Sequence, residues 1–332
     1  MNITASQVNE LRQMTGAGMM DCKKALVETE GDIEKAIDIL RKKGMAKAAK
    51  RADREASEGV VFSKTTADKK FTAVIKVSCE TDFVAGNADF VAFAKGILDF
   101  AVENRIKNID DLKVANYNGM TVADAIVNQS SKTGEKTELA AYNVLEGEYV
   151  TNYNHPGNRL STIVVMNKTF DKVEEVAHEV AMQVAAMNPL AVSEAAISQE
   201  VKDRELAVAI EKTKQDQIAK AIENALRKAG LNPNYFDSED HIESNQTKGY
   251  LNAEEAAKGR EIIAKTPAEV KINEQMVQNI ANGRMNKFYK ENCLLNQNSL
   301  AEGFDNMTVD QYIKKFDKDA TVLNFVRVKL GE

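Results

Sequence analysis

Histidine and cysteine are sparse in this sequence, three of each, and none stands at a catalytic or metal-binding spacing. The three histidines, His155, His178 and His241, have no second ligand at metal-binding distance along the chain. Cys79, followed by Glu80, offers a thiol at the end of an apolar run. A thiolate nucleophile needs a base, and only an approach of His155 or His178 in space would supply one. The glycine-rich Thr15–Gly18 stretch (TGAG) lacks the lysine and spacing of a phosphate loop, and it joins two helical patterns instead of leaving a strand. What remains is the chemistry of contact. Thr81-Asp82-Phe83-Val84 puts an acid and a large aromatic directly after a strand pattern, and Met19-Met20 opens a helix beside a glycine turn. Phe83 has two readings, a core anchor or an exposed wedge offering rigid area at small entropic cost. At least one of Met19 and Met20 is expected in a core, although methionine also suits an adaptable contact surface.

Three helical patterns precede these residues. Thr4 with Gln7 forms a capping-box pattern ahead of Val8, Leu11 and Met14. A second helix is expected over about 19–28. A third carries Ile33, Ala36, Ile37 and Leu40, and Gly44 is expected to end it. FTAVIKV (Phe71–Val77) alternates only weakly, which predicts a largely buried strand. A helix follows from Asn87 to about Asn104. LSTIVVM (Leu160–Met166) and the Asp171–Met187 helix repeat this plan about 85–90 residues later. That spacing predicts two related α+β subdomains.

Beyond them, Ser198–Lys228 and about Pro267–Tyr289 read as the arms of a protruding helical hairpin. One seam holds Val201, Val208 and Ile222; the other holds Ile272, Met276, Val277, Ile280 and Ala281. The polar segment from Gly230 to Gly249 is expected to be an exposed tip, with His241 solvated; His178 is expected to be a partly buried structural residue. Val322–Leu330 is expected to rejoin the second sheet. The predicted fold class is therefore α+β. Its domains are a three-helix module (1–55), a first subdomain with an antiparallel sheet (56–140), and a second (141–332) carrying the hairpin at about 198–290.

The chain has 332 residues and a formal net charge of −6. A large nucleic-acid surface normally brings a basic excess, so a protein partner is the better expectation. One basic run exists: Arg41–Arg54 holds seven Lys or Arg against the single acid Asp53. It reads as a solvated helix and linker, or as a contact for an acidic protein surface or ribosomal RNA. Three widely spaced cysteines suit a reducing compartment. There is no leader pattern and no run of membrane-spanning length, so a soluble cytoplasmic protein without cofactor is expected.

Two segments carry a specific resemblance. LRQMTGAGMMDCKKAL (Leu11–Leu26) and CETDFVAGNADF (Cys79–Phe90) resemble the two signature stretches of bacterial elongation factor Ts. GDIEKAIDILRKKG (Gly31–Gly44) is similar to the third helix of that family's ubiquitin-associated-like N-terminal domain. The similarity continues in order over nearly the whole chain. It implies a guanine nucleotide exchange factor, not an enzyme, whose partner is the GTPase elongation factor Tu. Direct nucleotide binding is not implied, and oligomeric state stays open. By this resemblance Arg12, Met19 and Met20 grip a helix of the GTPase domain. Thr81, Asp82, Phe83 and Val84 intrude beside the partner's magnesium site, and His155 lies in a turn that resembles one facing the partner, with the neighbouring Pro156 a departure. The 230–249 region is longer than in compact members, and the sequence ends just after its last strand, without the further helix some members carry. Two other readings stay open: a helix-binding or ubiquitin-like-fold-binding adaptor, and a thiol enzyme built on Cys79.

Overall fold

The computed structural model describes residues 3–304 and 306–332. Three helices open it: α1 (Ala5–Thr15), α2 (Met19–Glu28) and α3 (Ile33–Ala49). Thr4 and Gln7 close the capping box, with Gln7 N–H donating to Thr4 Oγ1 at 3.3 Å and Thr4 N–H to Gln7 Oε1 at 3.0 Å. Asp32 caps α3 by accepting from Lys35 N–H at 3.1 Å. Val8, Leu11, Cys22, Ala25, Leu26, Ala36 and Leu40 fill the module's core. Gly44 does not end α3, contrary to the sequence expectation. It is buried mid-helix, where a Cβ would stand 3.1 Å from Ser131 Oγ, so the missing side chain serves close packing.

β1 (Glu58–Thr65) and β2 (Phe71–Cys79) form an antiparallel pair with Val60 opposite Val77 and Phe62 opposite Ile75. A single turn, α4 (Asp82–Ala85), leads into α5 (Ala88–Glu103) and α6 (Ile109–Val114). A small ribbon, β3 (Asn116–Tyr117) with β4 (Met120–Thr121), precedes α7 (Val122–Thr133). β5 (Glu138–Glu146) then completes a sheet of order β1-β2-β5. The expected division at 140 falls inside β5, because Ala141, Tyr142 and Asn143 pair with Lys76, Ile75 and Val74. α5 covers one face of this sheet through Phe90, Ala94, Ile97 and Ala101.

The plan recurs with β6 (Tyr149–Asn154), β7 (Leu160–Met166) and α8 (Val173–Met187). Val176, Val180 and Val184 pack on this second sheet, and Thr162 donates to Ala181 O at 2.8 Å. The inner faces of the two sheets meet through Val61, Val74 and Leu145 against Val150, Ile163 and Val165. β2 is therefore buried on both faces, which accounts for its near-continuous apolar sequence. A polar seam lies beside that core: Ser63 N–H donates to Asn154 Oδ1 at 2.7 Å, and Ser161 Oγ–H donates to the same oxygen at 2.9 Å.

Residues 193–293 form a second compact unit, with 1–192 and 294–332 as the first. In this second unit α9 (Gln199–Lys228) is followed by α10 (Glu239–Thr247), α11 (Ala253–Glu269) and α12 (Glu274–Asn292). Both α11 and α12 lie along α9. The seams follow those read in the sequence only in part. Ala209 and Thr213 are buried on α9 while Val208 is exposed. Val277, Ala281 and Met285 are buried on α12 while Met276 is exposed. Val277 and Ala281 of the expected α12 stripe are covered, whereas Met276 and, on α9, Val208 are not. Helix also begins at Ala253 and carries Pro267 in its last turn. The 230–249 segment is not a solvated tip, because Leu231, Phe236 and Ile242 join Leu226, Leu251 and Ala256 in a core of their own. His241 is exposed there and pairs with Asp237. The first unit closes with α13 (Val309–Lys314) and β8 (Val322–Lys329), which pairs antiparallel with β7.

Candidate functional site

The end of β2 delivers the residues of greatest interest. Thr81 is extended (φ −123°, ψ 155°) and caps α4 by accepting from Val84 N–H at 3.4 Å. Asn87 caps the following helix, its Oδ1 accepting from Asp89 N–H at 2.8 Å and Phe90 N–H at 3.4 Å. Thr81–Asn87 is thus a corner with a cap at each end. Val84 and Ala85 pack against the first sheet's core, which turns Asp82 and Phe83 outward. Phe83 is 86% exposed, so it is not a core anchor. Its ring borders a groove shared with Asn87, Phe93, Gln129 and Lys132.

Residues distant in sequence hold this corner, and they were not legible as site residues. The Glu135 carboxylate accepts from Glu80 N–H at 3.1 Å, Thr81 N–H at 3.0 Å and the Thr81 hydroxyl at 2.7 Å. In return the Glu80 carboxylate accepts from Lys136 N–H and from Arg54 Nη1. Those two donors, the Lys136 N–H first, hold Glu80 below the usual carboxylate range. Lys136 Nζ in turn donates to Ala52 O at 2.8 Å and Arg54 O at 3.1 Å.

The basic run is largely spent inside the molecule. Arg41 pairs with Asp124, Arg51 donates to Ser130 O at 2.8 Å, Arg54 reaches Glu80, and Lys43 and Lys47 flank Asp21. α3 consequently lies against α7, whose C-terminal loop supplies Glu135. The TGAG turn belongs to the same packing. Gly16 adopts φ +65°, and the alkyl chain of Lys132 fills the space where its side chain would stand.

Met19 and Met20 are 57% and 65% exposed, so neither enters the module's core as expected for at least one of them. Cys22, Ala25 and Leu26 occupy the buried stripe of α2, and the methionines open the helix beyond it. They line a groove with Ile3, Val8 and Lys23. Arg12 is exposed on the neighbouring helix.

His155 is exposed in the β6–β7 turn, its Nδ1 2.9 Å from the Tyr153 hydroxyl. His178 is also exposed, not half-buried as expected, because Val176, Ala177, Val180 and Ala181 form the buried stripe of α8; it meets the Tyr153 ring edge-on at 5.7 Å. The turn is joined to the first sheet: Val61 N–H donates to Asn158 O at 2.8 Å, and Arg159 bridges to Glu58. Glu58 raises the Arg159 guanidinium, and Asp82 adds a smaller push in the same direction. The structure therefore brings the His155 turn to the side of the Asp82 corner.

Both histidines being engaged at Tyr153, neither serves Cys79. That thiol is buried, donates to Thr81 O at 3.2 Å, and is pushed up to about 12 by burial, with the Glu135 charge adding to the effect. A neutral, enclosed thiol is no nucleophile, and the thiol-enzyme reading falls. No metal-binding group of His, Cys, Asp or Glu occurs among the described residues, and no helix there is long and apolar enough to cross a membrane.

The family model described as Elongation factor TS matches residues 80–234 and 206–332. Similarity extends over the full length of curated relatives. The elongation factor Ts of Phocaeicola vulgatus is 52% identical and that of Parabacteroides distasonis 51% identical, each over 99% of both chains. The elongation factor Ts of Porphyromonas gingivalis is 37% identical over 100% of this chain and 99% of its own. Matches of this extent, together with the exposed Asp82–Phe83 corner and the helical module before it, place the chain in the elongation factor Ts family.

Proposed function

We propose that this chain is a guanine nucleotide exchange factor for elongation factor Tu, acting in the cytoplasm during polypeptide elongation. The observation that carries the reading is Phe83, 86% exposed on a corner capped at both ends, with the Asp82 carboxylate beside it. A phenyl ring on a preordered turn loses little entropy when it enters a partner. Asp82 then competes for the polar groups and water that hold magnesium. Because that ion bridges nucleotide phosphates to the GTPase, disturbing it loosens GDP.

No covalent step is needed. A factor that binds the nucleotide-free GTPase more tightly than the GDP form must weaken GDP binding by the same ratio. Met19, Met20 and Arg12 supply a separate grip on a helix of the GTPase domain, the thioethers adapting to its side chains. His155 adds a contact from the second sheet. A buried Phe83 would have strengthened the adaptor reading, and its exposure favours the wedge.

The test is release of a fluorescent GDP analogue from elongation factor Tu of the same organism. It compares no factor, this protein, and the Asp82→Ala, Phe83→Ala double variant. Acceleration by the intact protein, with a loss of roughly a hundredfold in the variant while binding persists, is the expected result. No acceleration by the intact protein would overturn the reading.

A further inference from the structure

The Asp82–Phe83 corner does not hold itself. Within the corner, α4 has four residues, too few for a helix to persist through its own hydrogen bonds. Its N-cap, Thr81, is fixed from outside, by a half-buried carboxylate 54 positions further along the chain. Glu135 uses one oxygen for two backbone N–H groups, those of Glu80 and Thr81, and the other for the Thr81 hydroxyl. The hydroxyl donates to Glu135 and so presents its lone pairs to the Val84 N–H it caps. Charge-assisted bonds of this kind are roughly twice as strong as neutral ones.

A second set of bonds ties the same loop to the helical module. The Glu80 carboxylate takes the Lys136 N–H and the Arg54 guanidinium, and Lys136 Nζ takes the carbonyls of Ala52 and Arg54. Glu80 and Glu135 therefore form a reciprocal clasp. Each carboxylate accepts from backbone next to the other, and Arg54 leads directly out of the module that presents Met19 and Met20.

We propose that Glu135 is the positioning residue of the wedge, setting the direction of Asp82 and Phe83 relative to the methionine ridge without touching the partner itself. The proposal rests on the exchange reading above. Removing Glu135 leaves Phe83 chemically intact on a corner that wanders. The grip through Met19 and Met20 persists, while the wedge is aimed correctly only part of the time. The consequence is a fall in the maximal rate of GDP release, not in docking.

The experiment compares wild type, Glu135→Ala, Glu135→Gln and Thr81→Val. Amide hydrogen exchange at Glu80, Thr81 and Val84 is measured in the free protein. The saturating rate of GDP release and the affinity for nucleotide-free elongation factor Tu are measured separately. Glu135→Ala should lose amide protection at Glu80 and Thr81 and lower the saturating rate by about tenfold or more, with affinity changed by about threefold or less. Glu135→Gln keeps a carbonyl for the two N–H groups but meets the Thr81 hydroxyl with a donor in place of an acceptor, so it should restore protection at Glu80 and Thr81 and recover the rate only in part. Thr81→Val removes the hydroxyl bond and the Val84 cap while leaving the two backbone bonds to Glu135, and it should lose protection at Val84 and lower the saturating rate even if Glu135→Ala does not fold. An unchanged saturating rate in Glu135→Ala, or a loss of affinity with the rate intact, would overturn the proposal. If wild type itself fails to accelerate release, the exchange reading falls. Retained amide protection in Glu135→Ala would refute the clasp whatever the partner does.

Discussion

Arg159, in the turn between β6 and β7, closes on Glu58 at the head of β1, with Nη1 2.5 Å and Nη2 3.4 Å from the two carboxylate oxygens. Glu58 stands opposite Cys79 in the β1–β2 register, so this pair joins the turn carrying His155 to the strand end that delivers Thr81–Val84. The guanidinium holds Glu58 below the usual carboxylate range. The pair is solvent-accessible, and accessible pairs contribute about 0.2–1 kcal/mol. A double-mutant cycle on Glu58→Gln and Arg159→Gln should return a coupling of about 1 kcal/mol or less in thermal stability. Exchange should slow by no more than about fivefold, the same energy expressed as a rate. A coupling of several kcal/mol would mean that the pair is a principal support of the interface between the sheets.

Met19 and Met20 test the separation between folding and docking. Their exposure means that truncation removes little from the core, so Met19→Ala, Met20→Ala should melt within about 1 °C of wild type. Calorimetric titration against nucleotide-free elongation factor Tu should show a loss of about 2 kcal/mol or more. Leu26→Ala is the contrast. That side chain is wholly buried, and its loss should destabilise the module by about 2–5 kcal/mol. Unaltered affinity in the double methionine variant would remove these residues from the contact surface.

Asp21 predicts an acid-sensitive module. Its carboxylate meets Lys43 Nζ at 2.6 Å and Lys47 Nζ at 2.9 Å, binding α2 to α3. Those hydrogen bonds, Lys43 first, lower it from the ordinary 3.8 to about 2. The folded value lies below the unfolded one, so the stabilisation is fully present above the ordinary value. It is lost as pH falls towards about 2. Helical circular dichroism of the wild type should decline in that window, and Asp21→Asn should flatten this part of the profile. Equal acid profiles would show that the two lysines leave no net stabilisation.

Gly259 probes the small core at the end of α9. A Cβ there would lie 1.9 Å from Phe236 Cε1, and Phe236 is itself buried. Gly259→Ala should cost about 1–3 kcal/mol by overpacking and raise hydrogen exchange around Leu226 and Ile242. Adding Phe236→Leu should relieve part of that strain. Unchanged protection in the single variant would mean that the ring moves aside freely.

Much of the architecture was written locally. Thr4 with Gln7, Asp32, Thr81 and Asn87 act on backbone N–H groups no more than three residues away, so helix starts follow from neighbours in sequence. The apolar runs Phe71–Val77 and Leu160–Met166 declare buried strands because their side chains must leave water wherever those strands pair. The same locality put Asp82 and Phe83 at a strand end, where a corner must form. It did not say which way Phe83 points; the packing of Val84 and Ala85 on the first sheet decides that.

The tertiary structure decided everything that depends on residues far apart. Gly44 continues a helix because α7 lies against it, and Lys132 makes the TGAG turn part of the same packing. Both methionines are exposed because Cys22, Ala25 and Leu26 already fill the covered stripe. Leu231, Phe236 and Ile242 leave water by finding Leu226, Leu251 and Ala256, which turns an apparently polar tip into a small core. Glu135 gave no signal, since a lone glutamate after a helix is ordinary until the fold brings Glu80 and Thr81 to its oxygens. Caps and propensities act over a turn of chain. A hydrogen bond across 54 residues exists only after the sheets and helices have chosen their neighbours.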